Sequence, residues 1–261
     1  MTEDSLLLSL VGDRMLKCSS DYVVTSTPFL DVRQQSLVLS KIKISDDVRA
    51  LFFGGSDTAE RNALVFVPYY LEISDFESLK SYLIDNSDEN PFTVLRLKKD
   101  SFSTVSHRDY LGALMGLGIK REMTGDIIVT KDGADIIVMK SVAGYIKTEL
   151  KSVGRATVSV SEVGFNEIDD MIANVREETI NVSSMRIDNI ISACFKLSRS
   201  ESADAVLSGN IYVNSLQILK CDKKISVGDK IVYRTKGKVV LKEISGVSKK
   251  GRNFIKIDVY G

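Results

Sequence analysis

The stretch Met185-Arg186-Ile187-Asp188-Asn189-Ile190-Ile191-Ser192-Ala193-Cys194 runs through Lys196-Leu197-Ser198-Arg199-Ser200-Glu201 to Leu207-Ser208-Gly209-Asn210-Ile211-Tyr212-Val213-Asn214. Ile187, Ile190, Ile191 and Cys194 recur at helical spacing, so they form one buried stripe that leaves Arg186 and Asn189 outside it. Ser198 with Glu201 three residues on is a capping box, which opens a second helix. That helix is expected to bury Ala203, Val206 and Leu207 and to stop at a left-handed Gly209. Ile211, Val213 and Leu216 then fall in short strands, Val227-Gly228-Asp229 turns into a strand over 230–233, and a hairpin of 239–247 and 254–260 closes the chain. The hairpin tip is Ser248-Lys249-Lys250-Gly251-Arg252-Asn253.

Two short helices on a small sheet, with the cations left off the core, make a platform for phosphates. Arg199 sits in the first turn of the second helix, where exposed N–H groups favour an anion and a guanidinium can fork two phosphate oxygens. Arg186 lies beside Asp188, and two readings are open: a phosphate contact, or a surface ion pair of little worth. Lys249, Lys250 and Arg252 could reach a nucleic-acid backbone, or could simply blunt the edge of the sheet. Lys196 and Ser198 join them as candidate nucleic-acid contacts.

Charge supports the same end of the chain. The whole sequence holds 35 Lys and Arg against 35 Asp and Glu, but residues 181–261 hold 15 against 7, a net of +8 that residues 1–180 balance. A neutral chain with one basic end is the footprint of an anchored polyanion binder, although uneven charge is also common in multidomain chains.

Upstream, residues 1–45 read as mostly helical, with a second helix starting at Pro28 and Phe29, Val32, Leu37, Val38 and Ile42 facing inward. Two apolar runs, 48–53 and 63–67, flank a Gly54-Gly55-Ser56-Asp57 turn and read as a hairpin. A helix over 75–84 follows. Strands over 92–97, 126–130, 135–140 and 156–160 alternate with helices over 106–117 and 141–152, which points to an α+β sandwich of the ferredoxin-like kind. The resulting division is a helical region with a hairpin over 1–73, an α+β domain over 74–165, a polar linker over 166–184 and a small C-terminal domain over 185–261.

Several classes find no support. Cys18, Cys194 and Cys221 are odd in number, widely spaced and without a C-x-x-C pair, so neither a disulfide framework nor a zinc site is expected and a reducing cytoplasm fits. The start Met1-Thr2-Glu3-Asp4 is acidic, unlike a secretory leader, and no run approaches the length of a membrane span. No cofactor is expected: Gly112, Gly116 and Gly118 are followed by no Gly-Lys-Ser/Thr. His107, the only histidine, could form an acid–base pair with Asp109. Ser106 and Asp109 also make a helix cap, and residues two apart on a helix point to different faces.

The order Arg186-Ile187-Asp188, Ser198-Arg199-Ser200-Glu201, Leu207 to Asn214, and Val227-Gly228-Asp229-Lys230-Ile231 resembles the S-four RNA-binding domain. The resemblance implies that Arg186 and Arg199 are RNA contacts. Ser202 departs from a usual Ala, and Ser215 from a Gly that commonly follows the Asn, which puts the contact by Asn214 in doubt. The segment 106–122 with Gly125-Asp126-Ile127, coupled to this domain, is similar to the YlmH family of bacterial proteins. That resemblance implies an RRM-like middle domain and a non-catalytic role on rRNA and tRNA at the large ribosomal subunit, in quality control of stalled chains. No membrane and no small-molecule substrate enter that role. The middle strands 126–130 and 135–140 lack the aromatics with which an RRM sheet stacks bases, so this domain is expected to touch protein or ribosome, or to act as a spacer. Two rival readings are an RNA-modifying enzyme of the pseudouridine-synthase kind, for which no catalytic Asp context is evident, and a division-linked protein-interaction factor.

Overall fold

The computed structural model describes residues 2–56, 59–100, 102–168, 175–234, 236–248 and 251–260. The chain divides into two compact units, Met1–Met171 and Ile172–Gly261.

The first unit opens with helix α1 (Glu3–Asp21), strand β1 (Thr25–Leu30) and helix α2 (Val32–Lys41). The helix expected at Pro28 does not start there. Pro28 lies inside β1, and α2 begins after Asp31, whose carboxylate accepts the Gln34 N–H in a capping box. Pro is tolerated because β1 is an edge strand with a register break between Ser26 and Phe29, where a missing N–H leaves no gap in the ladder. The Thr27 hydroxyl accepts the Leu64 N–H at this break. Strands β2 (Val48–Phe53) and β3 (Asn62–Pro68) complete an antiparallel sheet of order β1-β3-β2. The central strand β3 is buried at every position: Leu64 and Phe66 face the cluster of Leu7, Val11 and Val38 from the helices, and Ala63, Val65 and Val67 face the other way.

Helix α3 (Phe76–Asp85), capped by Asp75, leads to β4 (Phe92–Lys99), α4 (His107–Gly116), β5 (Thr124–Thr130), β6 (Gly133–Met139), α5 (Lys140–Glu149), β7 (Ser152–Val153) and β8 (Ala156–Val163). These strands form a second antiparallel sheet of order β5-β6-β4-β8-β7. One face carries Leu95, Leu97, Ile136 and Val138 against Tyr110 and Leu114 of α4 and Ile146 of α5. The opposite face carries Phe92, Val94, Ile128 and Ile137 against Phe29, Phe53, Val65 and Val67 of the first sheet and Leu79 and Leu83 of α3. The two sheets therefore pack face to face, with α3 contributing to the shared core, α1 and α2 on the far face of the first sheet and α4 and α5 on the far face of the second. A boundary at 73/74 falls inside this shared core, so residues 1–73 do not form a domain of their own.

The second unit begins with β9 (Arg176–Val182), followed by α6 (Ile187–Phe195), α7 (Arg199–Leu207), β10 (Ile211–Val213), β11 (Leu216–Ile218), β12 (Lys230–Tyr233), β13 (Gly237–Val247) and β14 (Asn253–Tyr260). The sheet order is β11-β10-β12-β13-β14-β9. The expected linker over 166–184 is thus partly a strand: β9 pairs with β14 along its whole length, and Ile180 and Val182 enter the core with Ile187, Ile190, Ile191, Val206, Ile231 and Ile255. Helix α7 buries Ser202, Ala205 and Val206, while Leu207, expected inside, is 63% exposed at its end. Gly209 takes a φ of +72°, the left-handed conformation that favours glycine at a helix end. Among the described residues, no helix is long and apolar enough to cross a membrane.

Candidate nucleic-acid interface

The ends of α6 and α7 meet around one polar concavity of about 320 Å³. Arg186, Asp188, Asn189 and Ser192 line it from α6 and its N-cap, Arg199 and Ser202 from α7, and Ser183 from the end of β9. Backbone bonds outside the helices fix this geometry. Ile187 N–H donates to Lys223 O at 2.8 Å and Ile225 N–H to Met185 O at 2.8 Å, so the start of α6 is clamped to the 221–225 segment. Lys196 ends α6 in the left-handed conformation, and the Ser192 hydroxyl donates to Leu197 O at 2.7 Å, which turns the chain sharply into α7.

The two arginines differ in state. Arg186 is paired with Asp188, Nε to Oδ1 at 3.1 Å and Nη2 to Oδ2 at 2.6 Å, and this carboxylate raises its pKa. Arg199 is exposed and has no carboxylate within ion-pair distance among the described residues. The concavity therefore holds one neutralised and one unneutralised guanidinium.

The N-terminus of α7 is less open to an anion than the sequence reading expects. Glu201 donates its N–H to Ser198 Oγ at 3.2 Å, and its carboxylate accepts the Ser198 N–H at 2.8 Å. The Ser198 N–H, and after it the Ser198 hydroxyl, hold the Glu201 carboxyl below its ordinary value. A carboxylate already occupies the helix end, so phosphate attraction here rests on the guanidinium of Arg199. Ser198 has a structural role as the cap. Ser202 is 1% exposed, and its hydroxyl donates back to Ser198 O and Arg199 O, both at 3.0 Å.

The remaining candidates lie off the concavity. Lys196 is exposed at the turn between the helices. Asn214 and Ser215 are the two central residues of the β10–β11 turn, with φ of 49° and 66°. Positive φ at both positions is the type I′ pattern, for which Gly is the usual second residue. The Asn214 amide is engaged internally: Nδ2 donates to Asp229 Oδ1 at 2.8 Å and Oδ1 accepts the Lys230 N–H at 2.9 Å. Arg252 is exposed, and its N–H donates to Ser248 Oγ at the hairpin tip. Lys249 and Lys250 lie outside the described residues.

In the first unit, Asp109 accepts both the N–H and the hydroxyl of Ser106, at 2.8 and 2.7 Å, which makes it a helix cap and not a partner for His107. Burial pushes the thiols of Cys18 and Cys194 up to about 11 and about 12, so neither is a nucleophile near neutral pH. Among the described residues, no group of three or more His, Cys, Asp and Glu could hold a metal ion. The sheet face on which an RRM would stack bases is covered: Phe92 packs 5.4 Å from both Phe29 and Phe53, which reach it from the other sheet.

A family model described as "Putative RNA-binding domain in YlmH" matches residues 92–167. The protein named "Ribosome-associated protein quality control protein P2" from Bacillus subtilis (strain 168) is 31% identical over 233 residues, 88% of this chain and 85% of its own. A solved structure, "Cell division protein ylmH from Streptococcus pneumoniae", is similar over 64% of this chain and 95% of its own, at 23% identity and a TM-score of 0.47. The family model places its domain on β4 through β8, a segment expected from the sequence to touch protein or ribosome, or to act as a spacer. The missing signal is aromatic: β5 and β6 carry none, and the aromatics near them are internal.

Proposed function

The chain belongs to the YlmH family, and from that premise we propose that it is a non-catalytic RNA-binding protein of the translation machinery. It acts in ribosome-associated quality control and holds rRNA or tRNA on the large ribosomal subunit. The observation that carries this reading is the concavity between α6 and α7, where Arg199 stands unpaired beside Arg186 and polar groups line the walls. A guanidinium held at a polar surface with no carboxylate to satisfy it is suited to forked contact with phosphate oxygens. The helix pair on its small sheet supports an S-four-type assignment for the C-terminal unit. The order β4-α4-β5-β6-α5-β8 supports an RRM-like middle segment that contacts RNA by a surface other than its covered sheet face.

Sedimentation of tagged protein from a bacterial lysate through a sucrose gradient tests this reading. The expected result is that wild type travels with the large subunit and Arg199→Ala stays at the top. Wild type remaining at the top at low salt would contradict a ribosomal target.

A further inference from the structure

With the sheet face covered, a base could dock on the first unit only at a rim. One end of the five-stranded sheet has the required chemistry. Phe102, in the loop after β4, is 97% exposed, whereas Phe29, Phe53 and Phe92 are buried in the shared core. Asp100 fixes the loop that presents it. The Asp100 carboxylate accepts the N–H groups of Phe102 at 3.2 Å, Ser103 at 3.0 Å and Thr157 at 3.0 Å, and the Asp100 N–H donates to Thr157 O at 3.2 Å.

Cations gather at the same end. Lys98 pairs across the sheet with Gly133 and Ser159. Lys131 lies in the β5–β6 turn, whose Asp132 O accepts the Lys99 N–H at 3.0 Å. Arg155 lies in the β7–β8 turn, two residues before the Thr157 that Asp100 holds. Lys98, Lys131 and Arg155 are exposed, and none has a carboxylate within ion-pair distance among the described residues. Asp132 is the exposed carboxylate of the turn, and the end remains net positive.

We propose that this end of the sheet is a docking site for single-stranded RNA, with an unpaired base stacked on Phe102 and the flanking phosphates held by Lys98, Lys131 and Arg155. An aromatic ring beside unpaired cations is the pattern by which single strands are gripped without sequence preference. The inference rests on the RNA-binding reading above and adds a second site of different specificity: unpaired strand here, structured RNA at the α6–α7 concavity.

The test compares full-length protein on a blunt RNA duplex and on the same duplex carrying a single-stranded pyrimidine extension. Wild type is expected to prefer the extended RNA. Phe102→Leu, which keeps an apolar side chain but removes the ring, is expected to lose about ten-fold of that preference. Charge reversal of Lys98, Lys131 and Arg155 together is expected to abolish it. The chain has no tryptophan, so Phe102→Trp installs a single fluorophore at the site. This variant is expected to keep the preference, and its indole emission to be quenched by the extended RNA but not by the blunt duplex. Arg199→Ala is expected to weaken both RNAs equally, so failure of that variant alone counts against the C-terminal site and leaves this one standing. Phe102→Leu that retains the full preference, or indole emission of Phe102→Trp that stays unchanged in the saturated complex, would overturn the inference. If Phe102→Leu alters a protein association and leaves both RNA affinities intact, Phe102 is a protein contact and the inference also falls.

Discussion

Arg186 and Arg199 line the same concavity, but only Arg186 is neutralised, by a two-point contact with Asp188 at 2.6 and 3.1 Å. An approaching phosphate meets Arg199 as a ready cation. At Arg186 it must displace or share a carboxylate. Arg199→Ala is therefore expected to weaken binding of structured RNA by about 1.5–3 kcal/mol, the worth of a hydrogen bond to a charged group, and Arg186→Ala by less. Asp188→Asn is expected to strengthen binding by about 0.5 kcal/mol, because the exposed pair it breaks is worth little and a repelling charge goes with it. Filter binding or fluorescence anisotropy measures all three. Equal losses from the two arginines would show that the Asp188 pair does not persist when RNA binds.

Ser202 is a buried hydroxyl whose bonds all return to its own helix. Back-bonding of this kind slightly destabilises a helix, and Ala is the better helix former. Ser202→Ala is expected to raise stability by about 0.5 kcal/mol in urea unfolding and to leave RNA affinity unchanged. Loss of affinity would mean that the hydroxyl sets the position of Arg199.

Gly133 joins the β5–β6 turn to β6, opposite Lys98 of β4. A Cβ at this position would fall on the Leu97 carbonyl oxygen, well inside contact distance, and backbone cannot yield as a flexible side chain does. Gly133→Ala is expected to cost about 3 kcal/mol or more in thermal or urea unfolding of the first unit. A near-neutral variant would show that the β4–β6 pairing can shift at this end.

Asp75 and Asp109 cap α3 and α4, and their carboxyls are held below the ordinary 3.8, Asp75 chiefly by the Ser78 N–H and Asp109 chiefly by the Ser106 hydroxyl. A carboxyl lowered in the folded state contributes stability that is present above its unfolded value and is lost as pH falls through its folded value. The urea midpoint is therefore expected to fall below about pH 4, with a shallower decline in Asp109→Asn than in wild type. Parallel declines would show that the Asp109 cap does not persist in solution.

Local features were legible in the sequence because their causes are local. The Ile187, Ile190 and Ile191 stripe and the Ser198–Glu201 box needed no knowledge of the rest of the chain, and both stand in the structure. The strand Arg176–Val182 was hidden because it is an edge, and edges carry charges such as Arg176, Glu177 and Glu178 that read as linker. Pro28 misled for the same reason, since an edge strand tolerates a residue that reads as a helix start. The face-to-face packing of the two sheets depends on Phe29, Phe53 and Phe92 meeting across long sequence distances, which no periodicity reveals. At the candidate site, Arg186 and Arg199 are picked out by the residues around them, but their meeting in one concavity and the use of the Asn214 amide by Asp229 and Lys230 are tertiary relationships that local sequence does not show.

The most direct measurement is the salt dependence of affinity for a structured RNA, in wild type and in Arg199→Ala. Contact with about four phosphates gives a log–log slope of about −3 to −4, and losing one such contact reduces the slope by about 0.7–0.9. The expected result is a steep slope in wild type that becomes shallower in Arg199→Ala, with weaker binding at every salt concentration. A wild-type slope near zero, or an Arg199→Ala slope that matches it, would contradict phosphate recognition at the α6–α7 concavity.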